Sequence, residues 1–136
     1  MTALIAALTF SGAVRADEPA VPIERFMQLD AHLYRGAQPD EAGFRYLQAH
    51  GIDTVISLRN DASEQALVES LGMRWVQIPI TFRPFGWGDD FSADHVREFF
   101  AALDDPANGT IFSSTGRRGP TGTLAAIYRM TRQDWN

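Results

Sequence analysis

From residue 26 onward the chain switches repeatedly between two hydrophobic periods. Continuous or alternating apolar runs read as strands, and apolar positions three and four apart read as helices. Phe26 to Leu29 and Leu33 to Arg35 are two short strand-like runs around an Asp30-Ala31-His32 turn. Pro39-Asp40-Glu41 opens a helix in which Ala42, Phe44 and Leu47 recur at helical spacing, and Gly51 closes it. Ile52 to Leu58 (IDTVISL) is a buried-strand run. Asp61 with Glu64 three residues on predicts a capping box for a helix over Ala62 to Leu71, ended by Gly72. Arg74 to Ile80 (RWVQIPI) is the next strand. Residues 81–91 form a loop rich in glycine and aromatics, and Ser92 N-caps a helix over Ala93 to Leu103. Pro106 to Gly109 is a turn, Thr110 to Ser113 a short strand, and Ser114 to Gly119 a loop. Pro120 opens the last helix, which runs to about Arg132.

Strands alternating with helices predict an α/β domain with a small, mainly parallel sheet flanked by helices. With 136 residues there is room for one ordinary domain, placed at residues 21–136. In such sheets ligands bind beyond the carboxyl ends of the strands. Two loops expected at that edge are unusual: 81–91 and 113–119.

The N-terminal stretch Met1 to Val14 is uncharged and mostly small or apolar. Its fourteen residues are too few for a membrane span, which needs about 20. They fit the apolar region of a secretory signal, and Val14-Arg15-Ala16 fits a small-x-small cleavage pattern. No Lys or Arg precedes the apolar run, which that reading would want. Residues 1–20 are therefore expected to be a signal peptide and linker of a periplasmic or secreted protein. The other reading is an N-terminal helix packed on a cytoplasmic domain.

Composition removes several chemistries. Hydrophobic residues make up 45% and charged residues 21%, a globular balance. The net charge of −5 disfavours a nucleic-acid partner. All twelve basic residues are arginine, so a lysine general base, a Schiff-base lysine and a Walker A site are excluded. The chain has no cysteine, so thiolate nucleophiles, disulfides and cysteine-rich metal sites are excluded too. His32, His50 and His95 are scattered, so no metal is expected, and no dinucleotide fingerprint calls for a cofactor.

The most informative stretch is Ile111 to Gly122, IFSSTGRRGPTG. A strand runs into a loop of small residues and then directly into a helix. Such a loop can aim backbone N–H groups at one point, and the helix N-terminus adds partial positive charge. Arg117 and Arg118 add planar donors that match an oxyanion. The same composition is also that of a turn with two solvated arginines.

Four stretches together resemble the dual-specificity and tyrosine phosphatase-like superfamily, especially its small bacterial members. They are Leu33 to Pro39 (LYRGAQP), the helix end with Gly51 to Arg59 (GIDTVISLR), the strand Val76 to Ile80, and Gly116 to Met130. The resemblance implies a cysteine-phosphatase-like fold and a phosphorylated small molecule or phosphoprotein as ligand. The family signature is a His-Cys pair, a short loop with Gly, and an Arg that grips phosphoryl oxygens. In one frame Gly116 is that glycine, Ser113 stands at the cysteine and Phe112 at the histidine. Arg118 then lies five residues after Ser113, and Ser114, Thr115, Gly116, Arg117 and Gly119 line the phosphate. In the other frame Thr121-Gly122 is the anchor, Ser114 stands at the cysteine and Pro120 at the arginine. The first frame is preferred because it keeps a glycine and an arginine in place.

Serine at that position is a serious departure. A serine hydroxyl stays protonated unless a base takes its proton, and no histidine adjoins the loop in sequence. Weak or absent turnover follows: a pseudophosphatase, an introduced Cys-to-Ser change, or a non-catalytic module that binds a phosphorylated partner. Phe112 in place of histidine favours natural decay. The resemblance implies an acid on a separate loop, and Asp89 and Asp90 in GWGDDF lie on the loop after Val76 to Ile80. The pair reads equally as a solvated turn. Phe82, Phe85, Trp87 and Phe91 on that loop are pocket walls or a flap on the core. Arg59 reads as an ion-pair partner near the same edge. Substrate identity and oligomeric state stay open at this stage.

Overall fold

The computed structural model describes residues 20–80, 93–115, 128, 129, 132 and 133. Within them five strands form one sheet: β1 (Met27–Asp30), β2 (Leu33–Ala37), β3 (Thr54–Ser57), β4 (Arg74–Gln77) and β5 (Ile111–Thr115). Their order is β1-β2-β5-β3-β4. Only β1 and β2 pair antiparallel, as a hairpin; β2, β5, β3 and β4 run parallel. The expected mainly parallel sheet is therefore present.

Three helices connect the strands: α1 (Glu41–Ala49), α2 (Gln65–Ser70) and α3 (Ala93–Asp104). Each sheet face carries its own core. On one side Phe44 and Leu47 of α1 and Val68 of α2 pack with Val55, Phe112, Ile23, Ile52 and Met73. On the other, Phe99 of α3 and Tyr128 pack with Ile56, Ile111, Leu29, Leu33 and Ile78. Alternation along the strands makes this division: Val55 and Ile56, or Ile111 and Phe112, are sequence neighbours that bury into opposite layers. Full burial of each such side chain stabilises the fold by about 1.5–3 kcal/mol.

The start of α1 is as the sequence implies. Asp40 is its N-cap, and Oδ1 accepts from Gly43 N–H at 2.9 Å. The capping box at Asp61 and Glu64 does not form. The helix starts at Gln65, and Glu64 makes no side-chain cap. Asp61 instead closes a local turn, its Oδ1 accepting from Ser63 N–H at 3.2 Å and Ser63 O–H at 2.6 Å. Glu64 is taken by longer-range partners described below.

Two strand ends also differ from the sequence reading. The β4 ladder stops at Gln77, although Ile78 N–H and Ile80 N–H still donate to Ser57 and Leu58 carbonyls at 2.9 and 3.1 Å. β5 runs on through Ser114 and Thr115, which the sequence placed in the loop. It is paired on both sides, with Thr115 opposite Ala37 and Ser114 opposite Gly36 and Ser57. Polar residues are held in strand geometry by neighbours on either hand. Ser92 and the loop 81–91 lie outside the described residues. Of the last helix, 128, 129 and 132 are helical.

Among the described residues no helix is long and apolar enough to cross a membrane.

Candidate functional site

Because β2, β5, β3 and β4 are parallel, their carboxyl ends share one edge, and β5 lies between β2 and β3 at its centre. The chain leaves that edge from β5 into residues 116–122. Register sets what meets there. Arg35, Ser113 and Ile56 lie level, and Gly36, Ser114 and Ser57 form the next row. Alternation from Ile111 and Phe112 puts Ser113 on the α3 side of the sheet and Ser114 on the α1/α2 side. Gly36 keeps this row tight: a Cβ there would lie 2.8 Å from Ile23 Cγ2 and 3.2 Å from the Phe112 ring.

Ser113 is 2% exposed and Ser114 fully buried. Neither Oγ has a hydrogen-bond partner, and neither do the buried Arg35 Nε and Gln38 Oε1. Among the described residues only one other buried side-chain atom, Asn108 Oδ1, is in that state. Four of the five thus gather at the carboxyl ends of two adjacent strands. An unpaired buried polar atom costs about 1–3 kcal/mol, so such a concentration marks a place shaped for something other than stability.

Beside this row lies a buried carboxylate. Glu64 is 7% exposed and accepts from the Gln38 side-chain amide and from Trp75 Nε1–H, the latter at 3.2 Å. Two neutral donors from β2's end and β4 therefore hold an acid that precedes α2. Nearby, Arg59 pairs with Asp61 at 2.7 Å on the surface, the ion-pair role its sequence position implied. The Ser63 hydroxyl, and then Arg59, pull the Asp61 carboxyl down to a pKa of about 2. Gln77 Nε2–H donates to the Arg59 carbonyl at 2.9 Å, fastening that turn to β4.

The opposite, amino edge holds a cavity of about 150 Å³ lined by Asp30, His32, Leu103, Asp104, Tyr128 and Arg132 among others. Its polar walls pair with one another. Tyr128 O–H donates to Asp30, and Arg132 makes a two-pronged pair with Asp104 at 3.0 and 2.9 Å. The hydrogen bond from Tyr128 lowers the Asp30 pKa, and Arg132 lowers that of Asp104. Burial, reinforced by Asp30, pushes the Tyr128 hydroxyl up to about 12. These contacts dock the residues after the candidate loop onto β1 and α3.

Of the sequence-stated site residues, Ser113 and Ser114 lie together at the centre of the carboxyl edge, and Thr115 continues the β5 backbone. Gly116, Arg117, Arg118, Gly119, Asp89 and Asp90 lie outside the described residues. None of the three histidines enters the Ser113 row: His32 is at the amino edge, His50 stacks on Tyr46 at 5.1 Å at the end of α1, and His95 is on α3. The sequence reading missed Arg35, Gln38 and Glu64 as members of this edge. The first two were quoted only within LYRGAQP, and Glu64 only as a helix cap. A polar residue in a strand next to the central one was the available signal.

A small, mainly parallel sheet with helices on both faces, and a central strand ending in buried small residues, is the architecture of the cysteine phosphatases. The chain belongs to the family described as "DSP-PTPase phosphatase fused to NAD+ Kinase", whose profile matches residues 20–135. Among solved structures, a DUF442 protein from Shewanella putrefaciens CN-32, described as a candidate phosphatase, is 27% identical with a TM-score of 0.71. That match covers 84% of this chain and 76% of the other. The core catalytic domain of the PP-IP phosphatase SIW14 from S. cerevisiae, in complex with citrate, is 18% identical with a TM-score of 0.74. It covers 87% of this chain and 72% of that one. P. aeruginosa TpbA, as a Cys-to-Ser variant in complex with phosphotyrosine, is 23% identical with a TM-score of 0.67, covering 88% and 70%. No curated protein matches the chain.

Proposed function

We propose that the carboxyl edge binds a phosphate monoester in the loop 113–119, with little or no turnover. The observation that carries this is the gathering of unpartnered Arg35, Gln38, Ser113 and Ser114 atoms at the ends of β2 and β5. Donors and hydroxyls left without protein partners there are matched by an oxyanion, which accepts from several at once. In this reading Arg118 grips the phosphoryl oxygens, the N–H groups of Ser114, Thr115, Gly116, Arg117 and Gly119 cradle them, and Asp89 or Asp90 is the residual acid. Ser113 stands where the family has its cysteine. Its hydroxyl is not ionised near neutral pH, and no histidine shares its row, so it attacks phosphorus poorly. The phosphotyrosine complex of a TpbA variant carrying serine for a cysteine supports binding without that thiol.

The lack of any cysteine favours a second reading at the same pocket, a non-catalytic module for a phosphorylated small molecule or phosphoprotein. Turnover by the unaltered chain separates the two: measurable hydrolysis of p-nitrophenyl phosphate would support the enzyme. Binding itself is tested by thermal shift of the full chain with phosphate and tungstate, beside Arg118→Ala. An anion at 100 times its Kd stabilises by about 2.7 kcal/mol, a shift of several degrees for a domain of this size. Stabilisation that disappears in Arg118→Ala is expected. No shift with either anion would overturn the proposal.

A further inference from the structure

We infer that Arg35 is a second oxyanion-gripping arginine, acting on the bound group from the sheet rather than from the loop. The inference rests on the carboxyl edge being an oxyanion site. Register carries it first. Arg35 lies level with Ser113 on the adjacent parallel strand, with neighbouring strands about 4.8 Å apart. Residues level on neighbouring strands share a face, so the Arg35 and Ser113 side chains rise on the same side, that of α3.

Charge carries it second. A guanidinium is always ionised, so Arg35 holds a full positive charge. Its Nε is buried without an acceptor. The four ion pairs among the described residues use Arg45, Arg59, Arg97 and Arg132, and none uses Arg35. The nearby acids are committed elsewhere. Glu64 is taken by Gln38 and Trp75, Asp61 by Arg59 and Ser63, Asp30 by Tyr128, and Asp104 by Arg132. A half-buried cation without a counter-charge destabilises a fold, and it is retained where a ligand supplies the anion. The Ser113 hydroxyl, level with it and also unpartnered, supplies a donor to the same group. A tetrahedral oxyanion presents oxygens in several directions. A planar fork fixed in a strand engages it from below, whatever the loop contributes from above.

The test is calorimetric titration of the full chain with tungstate, for wild type, Arg35→Met, Arg35→Lys and Arg45→Met. The last removes an exposed arginine paired with Glu41 on α1. Arg35→Met should raise Kd about tenfold or more, Arg35→Lys by less because charge remains without the fork, and Arg45→Met not at all. Ligand-free thermal stability of Arg35→Met should equal or exceed wild type, because an uncompensated charge has gone. Wild type that binds, with Arg35→Met within about twofold of it, overturns this inference and leaves the oxyanion site standing. A wild type that fails to bind overturns both. Weaker binding together with lower ligand-free stability would make Arg35 scaffold and also overturn the inference. If Arg35→Met does not fold, Arg35→Lys decides: a threefold or greater rise in Kd upholds the inference, and an unchanged Kd overturns it.

Discussion

Tyr128 donates its phenolic hydrogen to the Asp30 carboxylate and so ties the end of β1 to the chain that follows the candidate loop. The Tyr128 ring is 7% exposed and stacks on Phe100 at 6.2 Å. Gln133 adds a second tie, its Nε2–H donating to the Leu29 carbonyl at 2.6 Å. The helix expected after the loop is thus anchored at the edge away from the ligand.

Tyr128→Phe should therefore cost about 1–2 kcal/mol at pH 7, the loss of a hydrogen bond to a partly exposed charged acceptor. Its pH signature has two arms. Asp30 is more acidic in the fold than its usual 3.8, so its contribution is present above that value and fades as pH falls through the lowered pKa. Tyr128 is pushed from 10.0 to about 12, so its contribution is present below pH 10 and is lost as pH rises toward 12. Urea melts of wild type and variant at pH 3, 7 and 11 should show the difference greatest at pH 7. A difference that stays constant across the three would mean that Asp30 and Tyr128 are not coupled.

Glu64 offers a second prediction. It accepts two neutral donors, one from the residue after β2 and one from β4, across the α1/α2 face of the sheet. Glu64→Ala leaves the Trp75 indole N–H and the Gln38 amide without their acceptor. A loss of about 2 kcal/mol is expected, with Glu64→Gln losing about half because one acceptor oxygen remains. Guanidinium melts followed by Trp fluorescence measure it. Equal stability of Glu64→Ala and wild type would show that the carboxylate holds neither donor.

The same residue shows where sequence reading stops. Strand and helix order was legible because each element carries its own period: IDTVISL buries both faces, and Phe44 and Leu47 recur on one. Asp40 as a cap was legible because its partner, Gly43, is three residues away. Glu64 three residues after Asp61 has that same spacing, yet its partners, Gln38 and Trp75, lie 26 and 11 residues away. Asp61 was meanwhile drawn into a turn by Ser63 and Arg59. Asp53 is alike: its Oδ2 accepts from Thr110 N–H at 2.9 Å, and Gly109, at φ +57°, has no space for a Cβ beside that carboxylate. Local contacts are written in spacing; contacts between elements need the topology. For the site, the run of small residues after Phe112 was legible as chemistry. Arg35 was not, because a charged residue in a strand next to the centre has meaning only once β2 is known to pair with β5.

That pairing also separates the two frames for the missing thiol. Ser113 faces the α3 side, level with Arg35, whereas Ser114 faces the α1/α2 side and is fully enclosed. A thiol beside an uncompensated guanidinium and a loop-to-helix junction ionises easily, with pKa values of about 3.5–7.5 in such settings. One enclosed without a cation is pushed above the ordinary value of about 8.5 by burial. Ser113→Cys should therefore give thiolate absorbance that titrates below about pH 7.5 and moves when tungstate is added. Ser114→Cys should titrate above about pH 8.5 and ignore tungstate. The opposite order would move the nucleophile position to 114, leave Pro120 where the family has its arginine, and remove Arg118 from the phosphate. If Arg35 supplies part of the field, adding Arg35→Met to Ser113→Cys should raise the thiol pKa, and adding it to Ser114→Cys should not.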